Sequence, residues 1–448
     1  MDDTICAIST AVGIGGISII RVSGKEALSI VNGIFKGKDL RSVQSHTINY
    51  GHIVFEDKII DEVLVSVMLS PKTYTTEDVV EINLHGGIAT TNKVLEILLN
   101  SGCRLAEPGE FTKRAFLNGR IDLVEAEAVE EVIKADTDNA RSLSVNQLTG
   151  KISDIIRKMK ERLIGLEANI EVNIDYPEYE DIEDMTNSKV LSELEDFRLL
   201  VDDMINESNT GRIIKDGIDV AIIGKPNVGK SSILNALLEE EKAIVTDIEG
   251  TTRDIVEGTM MLDGVKLNFI DTAGIRKTDD IVEKIGVDKA KEQISKADVV
   301  ILVLNNNEPL SEEEKELLDL LKNKKHIIFI NKDDLAKKMD VEFEGAVYGN
   351  TVSNDGLDKL KKRISEMFSL EEIPKKDFTY ISNARQLSLM KKVREAIDKA
   401  ITSLKEGMPV DIVSIDLEEA RTHLGELLGE VYDEELIDEL FQRFCLGK

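Results

Sequence analysis

Apolar residues alternate or cluster over short stretches in the first part of the chain, the pattern expected of strands. Thr4–Ile8 and Gly16–Val22 read as strands joined by the glycine-rich turn Gly13-Ile14-Gly15. Lys25 to Phe35 has helical spacing. Strands follow at His46–Phe55, Glu62–Leu69 and Val79–Leu84, then a helix from Thr90 to Asn100. The first 118 residues therefore read as a mixed α+β domain. Arg21 and Glu81 interrupt apolar strands there; an outward-facing position and a functional one both fit them.

From about Leu123 the period changes. Ile152, Ile156, Met159, Leu163, Leu166 and Ile170 recur in steps of four and three, the seam of a helical bundle. Asp175 to Asp184 is acidic, contains Pro177 and reads as a loop; a second helix follows over roughly Ser188–Ile205. Near Ile218 short apolar strands begin to alternate with helices, as in a doubly wound parallel sheet, and continue to about Leu370. After Ile373-Pro374 helices return, at Ala384–Leu404 and over Ile415–Phe444. One bundle interrupted by an inserted α/β domain is favoured over three independent domains in line. The expected division is 1–118, 119–216, 217–374 and 375–448.

Composition narrows the class. At 448 residues, each domain is large enough for its own core. No apolar run reaches membrane-spanning length, and the acidic start Met1-Asp2-Asp3-Thr4 is unlike a signal peptide. Cys6, Cys103 and Cys445 are too far apart for a C-x-x-C pair and suit a reducing cytoplasm. With 85 acidic against 56 basic residues the net charge is −29, which repels nucleic acid. Contact with RNA would lean on a basic partner.

The α/β segment carries the strongest chemistry. Gly224-Lys225-Pro226-Asn227-Val228-Gly229-Lys230-Ser231 fits G-x-x-x-x-G-K-[ST] between a strand and a helix. Backbone N–H groups there converge on phosphate, Lys230 reaches the β- and γ-phosphates, and Ser231 ligates Mg²⁺. Gly250-Thr251-Thr252-Arg253-Asp254 follows as a switch. A hairpin turn at Asp263-Gly264 precedes the strand that ends in Asp271-Thr272-Ala273-Gly274. Asn331-Lys332-Asp333-Asp334 closes the set, with Asp334 placed to accept two guanine N–H groups that adenine lacks. In this order the motifs describe a GTPase. Ile275 occupies the position where Ras-type switches carry a water-orienting glutamine, so Arg276 or Glu283 is a candidate for that work.

These motifs, with Asn227 in the loop and an apolar residue after D-T-A-G, resemble the bacterial tRNA modification GTPase MnmE (TrmE) family. The resemblance extends through Asp3-Thr4-Ile5 to Arg21-Val22-Ser23-Gly24, Pro108–Asn118 and the final Cys445-Leu446-Gly447-Lys448. Era-like assembly GTPases share the central motifs but not these outer ones. It implies an N-terminal tetrahydrofolate-binding-like domain that dimerises, with Arg21, Glu81, Arg120 and Lys448 at a 5-formyl- or methylene-tetrahydrofolate. The family often has lysine at position 120. It implies GTP contacts from Asn227, Val228, Gly229, Lys230, Ser231 and Ser232, from Thr246, Asp247, Ile248, Glu249, Gly250, Thr251 and Thr252, and from Asp271, Thr272, Ala273, Gly274, Asn331, Lys332 and Asp334. Mg²⁺ would take Ser231 and Thr252, and K⁺ would take Asn227 with Thr246, Ile248 and Thr251. Glu283 would orient the catalytic water indirectly. The guanine-side contact near Thr351-Val352 departs from the family's S-A.

The resemblance further implies a homodimer in the cytoplasm that joins an MnmG (GidA)-like FAD protein as a heterotetramer, with tRNA as substrate and no membrane. The reaction would add an aminomethyl or carboxymethylaminomethyl group at C5 of the wobble uridine, with glycine and ammonium both open as nitrogen donor. Two rivals stay open: an assembly GTPase with no folate pocket, and a one-carbon transferase that GTP only regulates. Cys445 reads equally as a functional thiol, in the catalytic set with Glu283 and Arg276, or as a buried cysteine. Gly447-Lys448 rules out a prenylation signal. His85 has no second metal ligand at useful spacing and reads as structural.

Overall fold

The computed structural model describes residues 3–175, 187–240, 256–270, 287–350, 353, 355–375 and 381–448. They divide into two compact units. Met1–Lys134, Ser144–Asp203 and Arg385–Lys448 make the first; Ala135–Leu143 and Met204–Ala384 make the second.

In the first unit β1 (Ile5–Ile8), β2 (Ser18–Ser23), β3 (Phe35–Gly37), β4 (Thr47–Phe55), β5 (Lys58–Met68), β6 (Val79–Leu84) and β7 (Arg104–Leu105) form one sheet in the order β3-β4-β5-β6-β2-β1-β7. All pairings are antiparallel except β1 with β7. β3 and β7 were not legible in the pattern, being three and two residues long. One face is covered by helices Ala27–Ile34 and Ile88–Asn100, which bury Val31, Val94 and Leu98 against Val63, Val65, Val67 and Ile82. Burying each such side chain contributes about 1.5–3 kcal/mol. The other face leaves Ile48, Tyr50 and Leu64 exposed. β4 and β5 thus follow the period-two rule with apolar residues on both sides.

The seam is a seam. Ile152, Ile156, Met159, Leu163, Leu166 and Ile170 are all buried along the helix Lys151–Asp175. It packs on helix Val410–Leu428, whose Val413, Leu417, Ala420 and Leu424 are buried at matching helical steps. The region after Ile415 holds two helices, the second being Glu434–Gln442 with Asp433 as its N-cap. Helix Asn187–Asp216 outruns the expected stop at Ile205. Its last residues, Ile213 and Ile214, pack on the core of the second unit and give the extra turns an apolar anchor.

In the second unit β8 (Ile218–Ile223), β9 (Val256–Leu262), β10 (Val265–Ile270), β11 (Val299–Asn305), β12 (His326–Asn331) and β13 (Val347–Tyr348) are ordered β13-β12-β11-β8-β10-β9. The sheet is mixed, not wholly parallel: Asp263 and Gly264 take left-handed φ of 50° and 76°, and the tight hairpin they make lays β9 antiparallel on β10. Every residue of β11 is buried, as a central strand covered on both faces requires. Strand order reverses about β8, so a crevice opens at the C-terminal ends of β8 and its neighbours.

Candidate functional site

β8 runs out into the phosphate loop at that crevice. Gly224 has φ 145°, and a Cβ there would lie 2.4 Å from the Val303 carbonyl oxygen, so only glycine lets the loop pass β11 this closely. Asn227 and Gly229 also take positive φ, 65° and 106°. Val228 is buried and anchors the loop from below. Helix Lys230–Glu240 begins directly afterwards and presents Lys230, Ser231 and Ser232 in its first turn.

The Lys230 Nζ curls back to donate to the carbonyls of Gly224 at 2.7 Å and Lys225 at 2.6 Å. Burial pushes its pKa down to about 8. The loop therefore holds its cation inside the turn where the motif directs phosphate. Lys225 at the loop's other side pairs with Glu314 at 3.0 Å. Glu314 is buried and also accepts from the Ser311 N–H and hydroxyl, completing the capping box that starts helix Glu312–Leu320.

The Asn331–Asp334 motif is joined to the loop. The buried Asn331 side chain donates to the Val228 carbonyl at 2.7 Å. Lys332 sits at a left-handed φ of 62°, and Asp334 is exposed beyond it. Thr246, Asp247, Ile248, Glu249, Gly250, Thr251 and Thr252 lie outside the described residues. So do Asp271, Thr272, Ala273, Gly274, Ile275, Arg276, Glu283, Thr351 and Val352.

A second group of singled-out residues converges in the first unit. Arg21 and Glu81 face each other across β2 and β6, and Arg21 Nε donates to the carboxylate at 2.9 Å. Neither is a solvated outward position: their side chains are 15% and 23% exposed. The Arg21 guanidinium lies 5.3 Å from the Tyr74 ring centre and 5.5 Å from that of Phe111. Arg120 stacks on the same tyrosine at 4.8 Å and donates to its carbonyl at 3.0 Å. The backbone oxygen of Lys448 accepts from the Phe111 N–H at 3.2 Å. Tyr74 carried no motif and its role was invisible in the sequence; Phe111 lies in the Pro108–Asn118 stretch, which gave no role to its ring.

Arg120 also borders a cavity of about 350 Å³, together with Phe116, Glu125, Arg157, Gly429 and Tyr432. The tail crosses the end of β1 at Gly447, at φ 88°, where a Cβ would be 2.2 Å from the Ile8 oxygen. That close pass over β1 accounts for the glycine in C-x-G-K. Cys445 is exposed, which corrects the buried alternative. His85 pairs with Asp61 at 2.7 Å, and that hydrogen bond raises its pKa.

Three comparisons bear on what this arrangement belongs to. The family described as "GTP-binding protein TrmE N-terminus" matches residues 4–120, and "MnmE helical domain" matches residues 123–445. A tRNA modification GTPase MnmE from Streptococcus thermophilus (strain CNRZ 1066) is 51% identical over 100% of this chain and 98% of its own length. The chain belongs to the MnmE family of tRNA modification GTPases. An MnmE from Bacillus cytotoxicus is 49% identical over 100% of this chain and 99% of its own. The G domain of a T. maritima FeoB iron transporter is 30% identical over 34% of this chain and 98% of that one, at a TM-score of 0.24.

This member of the MnmE family is a GTP-hydrolysing enzyme of tRNA modification. Among the described residues, no helix is long and apolar enough to cross a membrane.

Proposed function

We propose that this chain couples GTP hydrolysis to modification of the wobble uridine C5, working as a homodimer with an MnmG-like flavoprotein. Of the observations above, the meeting of Arg21 and Arg120 on Tyr74, with Glu81 paired to Arg21 and Phe111 beside the same guanidinium, supports it most. A folate is a flat heteroaromatic with amide donors and a carboxylate tail, and this cluster offers aromatic faces, one acceptor and two guanidiniums. A bound 5-formyl- or methylene-tetrahydrofolate would supply the one-carbon unit. Glu81 holds Arg21 in register, Tyr74 carries both guanidiniums, and Lys448 reaches the cluster through the Phe111 backbone.

At the other site the loop N–H groups and Lys230 bind phosphate, Ser231 and Thr252 take Mg²⁺, and Asp334 reads guanine. Ile275 cannot hold a water, so Asn227, with Thr246, Ile248 and Thr251, is assigned to a K⁺ that balances charge between the β- and γ-phosphates. Glu283 orients the catalytic water indirectly. The exposed strip Ile48, Tyr50 and Leu64 is apolar surface that a second copy of the chain would cover.

Formyl-tetrahydrofolate is expected to bind the full-length protein and to lose roughly thirtyfold or more in affinity with Arg21→Ala, the cost of unpairing a half-buried charge. Undiminished binding by that variant removes the folate assignment. GTP turnover is expected to be faster in potassium than in sodium buffer, and equal rates would eliminate the K⁺ site. The whole reading is tested by nucleoside mass analysis of tRNA from cells lacking the protein, alongside sedimentation of the chain with and without the flavoprotein. Unchanged wobble uridines, or a monomer that ignores the flavoprotein, would overturn it.

A further inference from the structure

Asn305-Asn306-Asn307 begins with the last residue of β11 and continues beyond it, and no motif of the GTPase reading uses it. The middle residue is 3% exposed, among the most buried polar groups of the second unit. Its backbone N–H donates to the Asn331 carbonyl at 3.0 Å, and its own carbonyl accepts from Lys338 at 2.9 Å and Met339 at 3.2 Å. Its side-chain Nδ2 donates to Asp333 Oδ1 at 3.1 Å. A carboxylate can only accept, so this bond orients the amide, and Oδ1 points the other way with no partner among the described residues. One buried asparagine thus touches the first residue of Asn331-Lys332-Asp333-Asp334, the third, and the segment that follows.

The turn it grips is not at rest by itself. Lys332 is held at φ 62°, a region a long side chain seldom adopts without support. Support comes from Leu335 N–H on the Lys332 carbonyl at 3.1 Å, from Asp333 N–H on the Gly349 carbonyl at 3.2 Å, and from the Asn306 amide on the Asp333 side chain. Only the last is a side-chain contact from outside the motif. It acts on the residue immediately before Asp334.

We infer that Asn306 is a specificity-positioning residue for the GTPase: it fixes the left-handed turn at Lys332 so that Asp334 presents its carboxylate to the guanine amino and ring N–H. This rests on the assignment of Asp334 as the guanine reader. Asn306 touches no nucleotide in this scheme and acts through Asp333. The buried amide is the residue that satisfies the geometry. A carboxylate there would face Asp333 as a like charge, and a hydroxyl would be too short to reach it.

The test compares Kd for GDP and IDP, which lacks the 2-amino group, on the full-length protein. Wild type is expected to prefer GDP by roughly ten- to a hundredfold, the worth of one hydrogen bond to a carboxylate. Asn306→Asp is expected to reduce that preference to about threefold or less. The double variant Asn306→Asp with Asp333→Asn reverses donor and acceptor across the same contact and is expected to restore the preference. Melting curves check that each variant folds, and Asn306→Ser, which removes the contact without adding charge, is expected to lower the preference in the same direction.

An Asn306→Asp protein that weakens GDP and IDP equally, keeping their ratio, would overturn the inference and leave Asn306 merely structural. So would a double variant that stays unselective. If wild type itself does not distinguish GDP from IDP, or Asp334→Ala leaves the ratio unchanged, it is the assignment of Asp334 that has failed.

Discussion

Replacing Lys230 with alanine is expected to leave the protein folded and to lower GTP turnover by roughly a hundredfold to a thousandfold, the usual cost of deleting one preorganised cation or donor at a developing charge. The side chain is drawn into the loop by two carbonyls, and burial there has already pushed its pKa down to about 8. The fold therefore gains little from this ammonium, and its removal should not lower the melting temperature. The phosphates gain a great deal, because a cation with few waters left interacts strongly with an anion.

A pH signature follows from the same depression. Below about pH 8 the ammonium is charged; above it the loop alone favours the neutral amine. Anionic phosphate pulls the pKa back up, so nucleotide binding above pH 8 takes up a proton and weakens as pH rises, by at most about tenfold per unit. Lys230→Arg, which stays charged throughout, should flatten that slope. Calorimetric titration with GDP in buffers of different ionisation enthalpy measures both effects. A wild-type affinity that is level between pH 8 and pH 9.5 would contradict the argument.

The second large effect concerns stability. Arg114→Met is expected to cost about 3–5 kcal/mol, because it strips the counter-charge from carboxylates that stay where they are. The Arg114 side chain is 1% exposed and pairs with Asp3 at 2.7 Å, Glu110 at 3.0 Å and Glu77 at 3.1 Å. Glu110 is itself buried and keeps Arg104 as its other partner. Urea denaturation measures the loss, and Glu77→Gln in the same chain should recover part of it by removing one of the stranded charges. A single-variant loss below about 1 kcal/mol would show that solvent reaches the cluster.

The pH dependence has the opposite sign to that of Lys230. Burial pushes the Asp3 and Glu110 carboxyls up, but the Arg104 and Arg114 guanidiniums overcome it and hold both below the ordinary carboxylate range. Their contribution is complete above the unfolded pKa of about 4 and is lost as pH falls through the lower folded values.

How much of this was legible depends on how far apart the partners are in sequence. The phosphate loop, the bundle seam and the strands around them are local patterns, and each lies where its period or motif put it. The cluster at Arg114 was not readable, since Asp3 and Glu77 are 111 and 37 positions away. Tyr74 was missed for the same reason: its ring matters because Arg21 and Arg120 meet on it. Cys445 reads from its neighbours equally as a functional thiol or as a buried cysteine, and its exposure is set by the fold of the tail. Helix Asn187–Asp216 overran its expected end because no proline or glycine before Gly211 marks a stop and tertiary contact anchors the rest.

The order in which the ribosome delivers the chain has a consequence here. The first unit is assembled from three segments, the last of which is Arg385–Lys448. Gly109 and Phe111 donate to the carbonyls of Cys445 and Lys448, and Arg385 clamps Glu127 with two hydrogen bonds at 2.7 and 3.0 Å. The Arg385 bonds cannot form before Arg385 is made, nor the other two before Cys445 and Lys448 are. The second unit is complete as soon as Ala384 has emerged, so the segment made first is closed last. Nascent chains stalled when Ala384 has just left the ribosome should yield a protease-resistant core from the second unit while residues 1–134 are still cut. A resistant N-terminal fragment at that stage would refute this order of assembly.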